Sequence, residues 1–150
     1  MLTVRRCTIA EIMAAPNLAG VLAEYSAECS LAELGEATPQ FDIYKALESS
    51  GFFQPIAAFN DDNLVGFVGP IVGKLPHYGV IAATIESIFV LREFRKDGVG
   101  DKLMYAAREY AIERGAKAVI YSAPVGSQLS MMLQLSKRHR HSNNVFVEGL

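Results

Sequence analysis

Cysteine is scarce in this chain of 150 residues: Cys7 and Cys29 are the only two. They stand far apart, without a C-x-x-C or paired histidine spacing, so nothing in the sequence suggests a zinc site or any other metal. Nothing calls for a disulfide either, and both thiols are expected to be reduced, in a cytoplasmic protein. Charge of one sign is also lacking. The formal net charge is −2, so no global field draws the chain to nucleic acid or to an anionic membrane. Long apolar runs are missing as well. "MLTVRRCTIAEIM" at the start has no signal-peptide core. The most apolar stretch, "GVIAATIESIFVL" at 79–91, is too short to span a bilayer and contains Glu86. It reads as a buried strand. There is no internal repeat and no low-complexity tract.

What is present suits one packed domain over residues 1–150. At 51% hydrophobic and 20% charged, the chain can bury a substantial core. "LTVRRCT" at 2–8 partly alternates and reads as a strand. Thr8 and Glu11 have the spacing of a capping box, so a helix begins near Ile9, and Pro16 interrupts and restarts it. Leu18, Val21, Leu22, Tyr25 and Cys29 continue at helical spacing. Residues 33–40 form a loop, and 41–51 a short helix stopped by Gly51. Strands follow at 54–60 and 64–74, the second carrying glycines and Pro70 that suggest a bulge or an edge position. Residues 80–91 are expected to be the longest strand and central. A helix at 98–114 has Val99, Leu103, Ala106 or Ala107, Tyr110 and Ala111 as its apolar stripe. A strand at 116–123, a helix bearing Leu129, Met132 and Leu133, and a last strand at 142–150 complete the chain. The class is mixed α/β, in the order β-α-α-β-β-β-α-β-α-β, with hairpins first and a β-α-β crossover second.

Between the expected central strand and its following helix lies "FRKDGVGDKL", residues 94–103. Two nucleotide templates fail on it. A Walker loop needs a glycine where Asp101 stands and a hydroxyl where Leu103 stands, and a dinucleotide fingerprint needs its third glycine at Leu103. A third pattern, [QR]-x-x-G-x-[GA], is met by "RKDGVG" at every specified position. Its physical logic is direct. Unpaired N–H groups and the dipole at a helix start attract an anion, and glycines let phosphates come close. Arg95 and Lys96 add charge, and Asp97 is placed to cap the helix. Alone, these six residues fit an ordinary strand-to-helix turn. The preceding strand, the amphipathic helix that follows and the continuing β-α-β pattern favour the anion site.

With that motif in that context, the sequence resembles the GNAT superfamily of acyl-CoA-dependent N-acetyltransferases. The likeness is strongest over residues 80–123. The closing "SNNVFV" also looks like the compact members often encoded by phages and prophages. The resemblance implies acetyl-CoA as cosubstrate and an amine as acceptor. It assigns the coenzyme pyrophosphate to Arg95, Lys96, Asp97, Gly98, Val99 and Gly100, with Asp101 and Lys102 next along the helix start. It assigns the pantetheine arm to the backbone of Ile88, Phe89 and Val90, where the strand splays from its partner at 116–123. Glu86 is the implied general base: an alkyl ammonium with a pKa of roughly 10 must lose a proton before it can attack. An interior position for Glu86 is expected. The family's usual tyrosine, which protonates the leaving thiolate, has no clear counterpart. His139 in "KRHRH", Tyr121, Ser127 and Ser130 stand nearest in sequence. The alternative is a non-catalytic acyl-CoA-binding or interaction module of the same fold. An exposed last strand would offer an edge for a second copy.

Overall fold

A computed structural model describes residues 1–150. The elements are β1 (Leu2–Arg6), α1 (Ile9–Met13), α2 (Leu18–Cys29), α3 (Phe41–Ser49), β2 (Ile56–Asn60), β3 (Asn63–Leu75), β4 (Val80–Val90), a 3₁₀ turn (Arg92–Asp97), α4 (Val99–Glu113), β5 (Val119–Tyr121) and α5 (Gln128–Leu135). The five strands lie side by side in chain order. The first four pair antiparallel, and β5 joins β4 in parallel through the α4 crossover.

The sheet separates two apolar layers. On one face α4 places Val99, Leu103, Ala107, Tyr110 and Ala111 against Ile56, Ala58, Val65, Val68, Val72, Ala83 and Ile85. That is the stripe read from helical spacing, except that Ala106 is only half-buried. On the other face α1 and α2 bring Ile9, Ile12 and Val21 over Ala57, Phe59, Leu64 and Phe89. Each fully buried Leu, Ile or Val contributes about 1.5–3 kcal/mol relative to exposure, so these two layers hold the sheet between the helices. The capping box forms as expected. Thr8 Oγ1 accepts from Glu11 N–H at 3.1 Å, and Glu11 Oε2 accepts from Thr8 N–H at 2.8 Å. Cys7 and Cys29 are free, and burial pushes the Cys7 thiol up to about 12. No helix is long and apolar enough to cross a membrane.

Three expectations need correction. The longest strand is β3, with 13 residues against 11 in β4. It occupies the middle of the sheet, whereas β4 is one strand from the edge. Pro70 therefore sits inside the sheet. It is tolerated because the register shifts between Gly69 and Pro70, and because its carbonyl turns toward Gln54 N–H at 3.3 Å, taking its missing donor off the β4 ladder. The last strand at 142–150 does not form. Its only neighbouring edge would be the three residues of β5, and Ser142, Asn143 and Asn144 favour turn conformations over a ladder. Val145 and Phe146 are left exposed, so no terminal strand offers an edge.

Candidate active site

The bulge that admits Pro70 also creates the site. Ser87 pairs with Gly69 and Ile85 with Pro70, which leaves Glu86 as the extra, unpaired residue of β4. A bulge reverses the side-chain alternation. Ile85, Ile88 and Val90 pack toward α4, while Glu86 and Phe89 face α2 and α3. Gly69 is needed here. A Cβ on it would lie 2.6 Å from the Phe53 ring and 3.3 Å from Ser87 Oγ.

The same position marks a change in pairing. β5 follows β4 only from Ala83 to Ile85. Beyond Ile85, β4 continues beside β3 alone, as far as Val90. Leu91 N–H reaches Val65 O on β3 at 2.9 Å. By alternation, Ile88 and Val90 turn their amides to the open side. Phe89, 4% exposed, turns its backbone to β3. The pairing of the two parallel strands thus ends beside Glu86.

Glu86 is exposed rather than interior, because the bulge rotates it off the sheet onto the α3 side. Its Oε1 accepts from the Tyr44 hydroxyl at 2.9 Å, and its other carboxylate oxygen has no protein partner. Burial, together with the Glu86 charge and this hydrogen bond, holds the Tyr44 phenol well above the usual tyrosine range. Tyr25 stands beyond it, packed edge-on against Phe67 and Phe89, and burial pushes its phenol up to about 12. The link from Tyr44 to Glu86 spans 42 residues, and no local pattern announces it.

After β4, the 3₁₀ turn leads into Gly98 at φ +70, a conformation that suits glycine. Gly98 is the N-cap of α4, and Asp97 makes no capping bond, because the left-handed turn carries its side chain into solvent. The first bond of α4 runs from Lys102 N–H to Gly98 O at 3.1 Å. The amides of Gly98, Val99, Gly100 and Asp101 have no protein acceptor. A Cβ at Gly98 or Gly100 would meet nothing within 4 Å, so the space before these amides is open. Lys96 and Lys102 are exposed and free of carboxylate partners. Four amides, open space and two lysines together fit a pyrophosphate.

Arg95 is placed otherwise. Its Nη2 donates to Glu28 Oε2 at 2.6 Å, and its Nε donates to Val90 O at 2.8 Å. Arg92 donates from Nε to Glu28 Oε1 at 2.7 Å, and its N–H donates to Glu24 Oε1 at 2.8 Å. Partial burial works to raise the Glu28 carboxyl, but the hydrogen bonds and charges of Arg95 and Arg92 outweigh it and hold the group below the usual carboxylate range. Glu24 and Glu28 went unnoticed in the sequence. Their i, i+4 spacing puts them on one face of α2, but nothing local ties that face to residues 92–95.

His139 lies on the other side of the sheet. Its Nδ1 is 2.7 Å from Ser136 Oγ, and its ring stands edge-on to Tyr121, whose side chain packs into the α4 layer. Burial, assisted by the Arg138 charge, lowers the imidazole below its ordinary range. Burial pushes the Tyr121 phenol up to about 12. Ser127 caps α5 by accepting from Ser130 N–H at 3.1 Å. No group of three or more His, Cys, Asp or Glu is placed to hold a metal ion.

Comparison with known proteins matches residues 19–129 to the family model described as acetyltransferase (GNAT) family. Among solved structures, the chain is similar to an aminoglycoside acetyltransferase from an uncultured soil metagenomic sample, in complex with sisomicin. That likeness has a TM-score of 0.73 at 17% identity over 99% of this chain and 96% of that one. It is also similar to a ribosomal-protein-alanine N-acetyltransferase from Brucella melitensis biovar Abortus 2308, with TM-score 0.69, 22% identity and coverage of 99% and 100%. A third is glucosamine-6-phosphate N-acetyltransferase from Arabidopsis thaliana, with TM-score 0.68, 14% identity and coverage of 98% and 99%. No curated protein sequence matches the chain.

Proposed function

The chain belongs to the GNAT family of acetyltransferases, and from that premise we propose that it transfers the acetyl group of acetyl-CoA to a primary amine. The open amides from Gly98 to Asp101, with Lys96 and Lys102, receive the pyrophosphate. The arm of the coenzyme runs along the free edge of β4, where Ile88 and Val90 turn their amides outward. This brings the thioester to the bulge. There Glu86, through its free oxygen and an intervening water, takes a proton from the acceptor ammonium. The neutral amine attacks the thioester carbonyl, the new C–N bond forms, the C–S bond breaks, and the nitrogen gives up its second proton to water as the amide forms. The thiolate, with a pKa near roughly 8.5, leaves without a dedicated acid and takes its proton from water. The observation that carries this reading is the meeting of three features along the end of β4 and the start of α4: an amide nest without partners, a strand edge that β5 leaves unpaired and a carboxylate with one free oxygen.

The acceptors named for the similar structures, an aminoglycoside, a ribosomal-protein alanine and glucosamine 6-phosphate, are all amines. The proposal goes no further than that shared group. Thiol release from acetyl-CoA in the presence of an amine panel tests it, with calorimetry of coenzyme A alone as the binding arm. Release that depends on the amine is the expected result. Tight coenzyme binding without release from any amine would favour the alternative, an acyl-CoA-binding module. The absence of any tyrosine after Tyr121 supports that alternative.

A further inference from the structure

Beside Glu86 lies a shallow apolar slot between α1, α2, α3 and the sheet, with a cavity volume of about 50 Å³ and one side open to solvent. Its walls include Leu22, Tyr25, Phe41, Tyr44, Phe53 and Phe67. None of the side chains that line it carries a charge. Glu48 accepts from Ile9 N–H at 3.3 Å, and Glu86 is the carboxylate bonded to a side chain of the slot wall. Tyr44 joins the two environments. Its hydroxyl sits on Glu86, and its ring forms part of the slot wall.

We propose that the acceptor is a small monoamine whose amino group is carried on a short alkyl link from an apolar ring or branched group. This deepens the acetyltransferase reading and rests on it. The physical argument is one of complementarity. The amino group stays at the exposed carboxylate, where its charge costs little to bring in. The apolar body lies along the open side of the slot, against walls of rings and aliphatic side chains. Ring burial there brings the hydrophobic gain and edge-to-face contacts with Tyr25, Phe41 and Phe67. A second or third ammonium on the same molecule would find no carboxylate in the slot, and desolvating it unpaired is costly. Polyamines and polycationic aminosugars are therefore disfavoured.

The test compares 2-phenylethylamine, n-butylamine, spermidine and a tripeptide with N-terminal Phe in the thiol-release assay. Calorimetry of each amine in the presence of coenzyme A runs alongside. We expect kcat/KM for 2-phenylethylamine to exceed that of each of the others by about tenfold or more. Leu22→Trp, which fills the slot from α2, should raise KM for 2-phenylethylamine by about tenfold while leaving KM for acetyl-CoA in place. Phe41→Ala, a gentler change at a half-buried position, should raise it less. A preference for spermidine, or a Leu22→Trp enzyme with unaltered KM, overturns the proposal. A preference for the peptide also overturns it, because the slot would then be serving a chain terminus. Thiol release from no amine, with coenzyme binding intact, removes the acetyltransferase reading. The slot is then judged by calorimetry alone: 2-phenylethylamine binding no more tightly than n-butylamine ends the proposal, and a clear preference upholds it.

Discussion

Glu28 and Arg95, 67 residues apart in the chain, meet at 2.6 Å, and through that contact α2 grips the turn that opens α4. Glu28 holds Arg92 with its other oxygen. The guanidinium that reads in the sequence as charge for a phosphate is thus divided between an acid on α2 and the carbonyl of Val90. The helix that walls the apolar slot and the turn that leads to the amide nest are held as one unit.

Replacing Glu28 with Gln should lower stability by roughly 1 kcal/mol, the upper end for a partly exposed pair. In a chain of this size that is a fall in Tm of about 2–4 °C. The sign with pH follows from the depressed carboxyl. Its contribution is present above the ordinary value of 4.5 and is lost as pH falls through the lower folded value. Melting curves for wild type and Glu28→Gln at a series of pH values check this. The gap should be full at pH 7 and should close below about pH 4.5. A gap that persists in acid would show that the loss is one of packing, not of charge.

Two glycines separate stability from binding. Gly98 has φ +70, so Gly98→Val forces a β-branched residue into a left-handed turn and should cost at least about 1–2 kcal/mol. Gly100 is in the first turn of α4 with ordinary helical geometry, so Gly100→Ala should gain about 0.5 kcal/mol. Both add a Cβ where the structure leaves open space before the unpartnered amides. Coenzyme affinity should therefore fall severalfold in both, while thermal stability moves in opposite directions. Calorimetry of coenzyme A and melting curves measure the two effects. A Gly100→Ala protein that binds the coenzyme as tightly as wild type would place the phosphates elsewhere.

Much of the architecture was legible because it is written in local periodicity. The capping box at Thr8, the α4 stripe, the hairpins and the parallel crossover are properties of short segments, and each formed. The amide nest was legible for the same reason: a glycine pattern that follows a strand and opens a helix has only a few possible geometries. The contacts that complete the candidate site are long-range. Tyr44 reaches Glu86 across 42 residues, and Glu28 reaches Arg95 across 67. No spacing encodes either. The exposed placement of Glu86 depends on a single bulge, and one extra residue reverses which face a side chain takes. Pro70 signalled the bulge, but it could not show that the extra residue would lie on the neighbouring strand. The missing last strand was misread because Val145, Phe146 and Val147 have strand-like side chains, and β-propensity counts for little without an edge long enough to pair with.

The Tyr44–Glu86 pair predicts two different kinetic phenotypes. Glu86→Gln removes the proton acceptor, and a general base typically contributes 10²- to 10⁴-fold, so kcat should fall by about that range. Tyr44→Phe keeps the carboxylate and removes only the donor that orients it, so a smaller fall of about tenfold is expected. The Tyr44 phenol is held above its ordinary value, so it remains protonated and donating throughout a normal assay range. Its removal should not shift the alkaline limb of the pH–rate profile. Profiles of both variants between about pH 6 and 9.5 check this. A Tyr44→Phe enzyme whose alkaline limb moves would make that phenol a titrating participant.

His139 stands nearest in sequence to the place of the family's usual acid. Its ring lies against Tyr121 in the α4 layer, whereas Glu86 faces α3 across the sheet. Burial and the Arg138 charge lower its pKa from 6.5, so the folded protein holds it neutral at pH 7. In the unfolded chain it takes up a proton at higher pH than in the folded one. The stabilising contribution is therefore complete above 6.5 and declines as pH falls through the folded value. Wild-type Tm should drop on going from about pH 7 to pH 5, and His139→Gln should lessen that drop. Thiol release at pH 7 should stay within about twofold of wild type, because a thiolate of this basicity leaves unaided. A hundredfold loss of kcat in His139→Gln with stability intact would instead make this imidazole the donor to the departing thiolate.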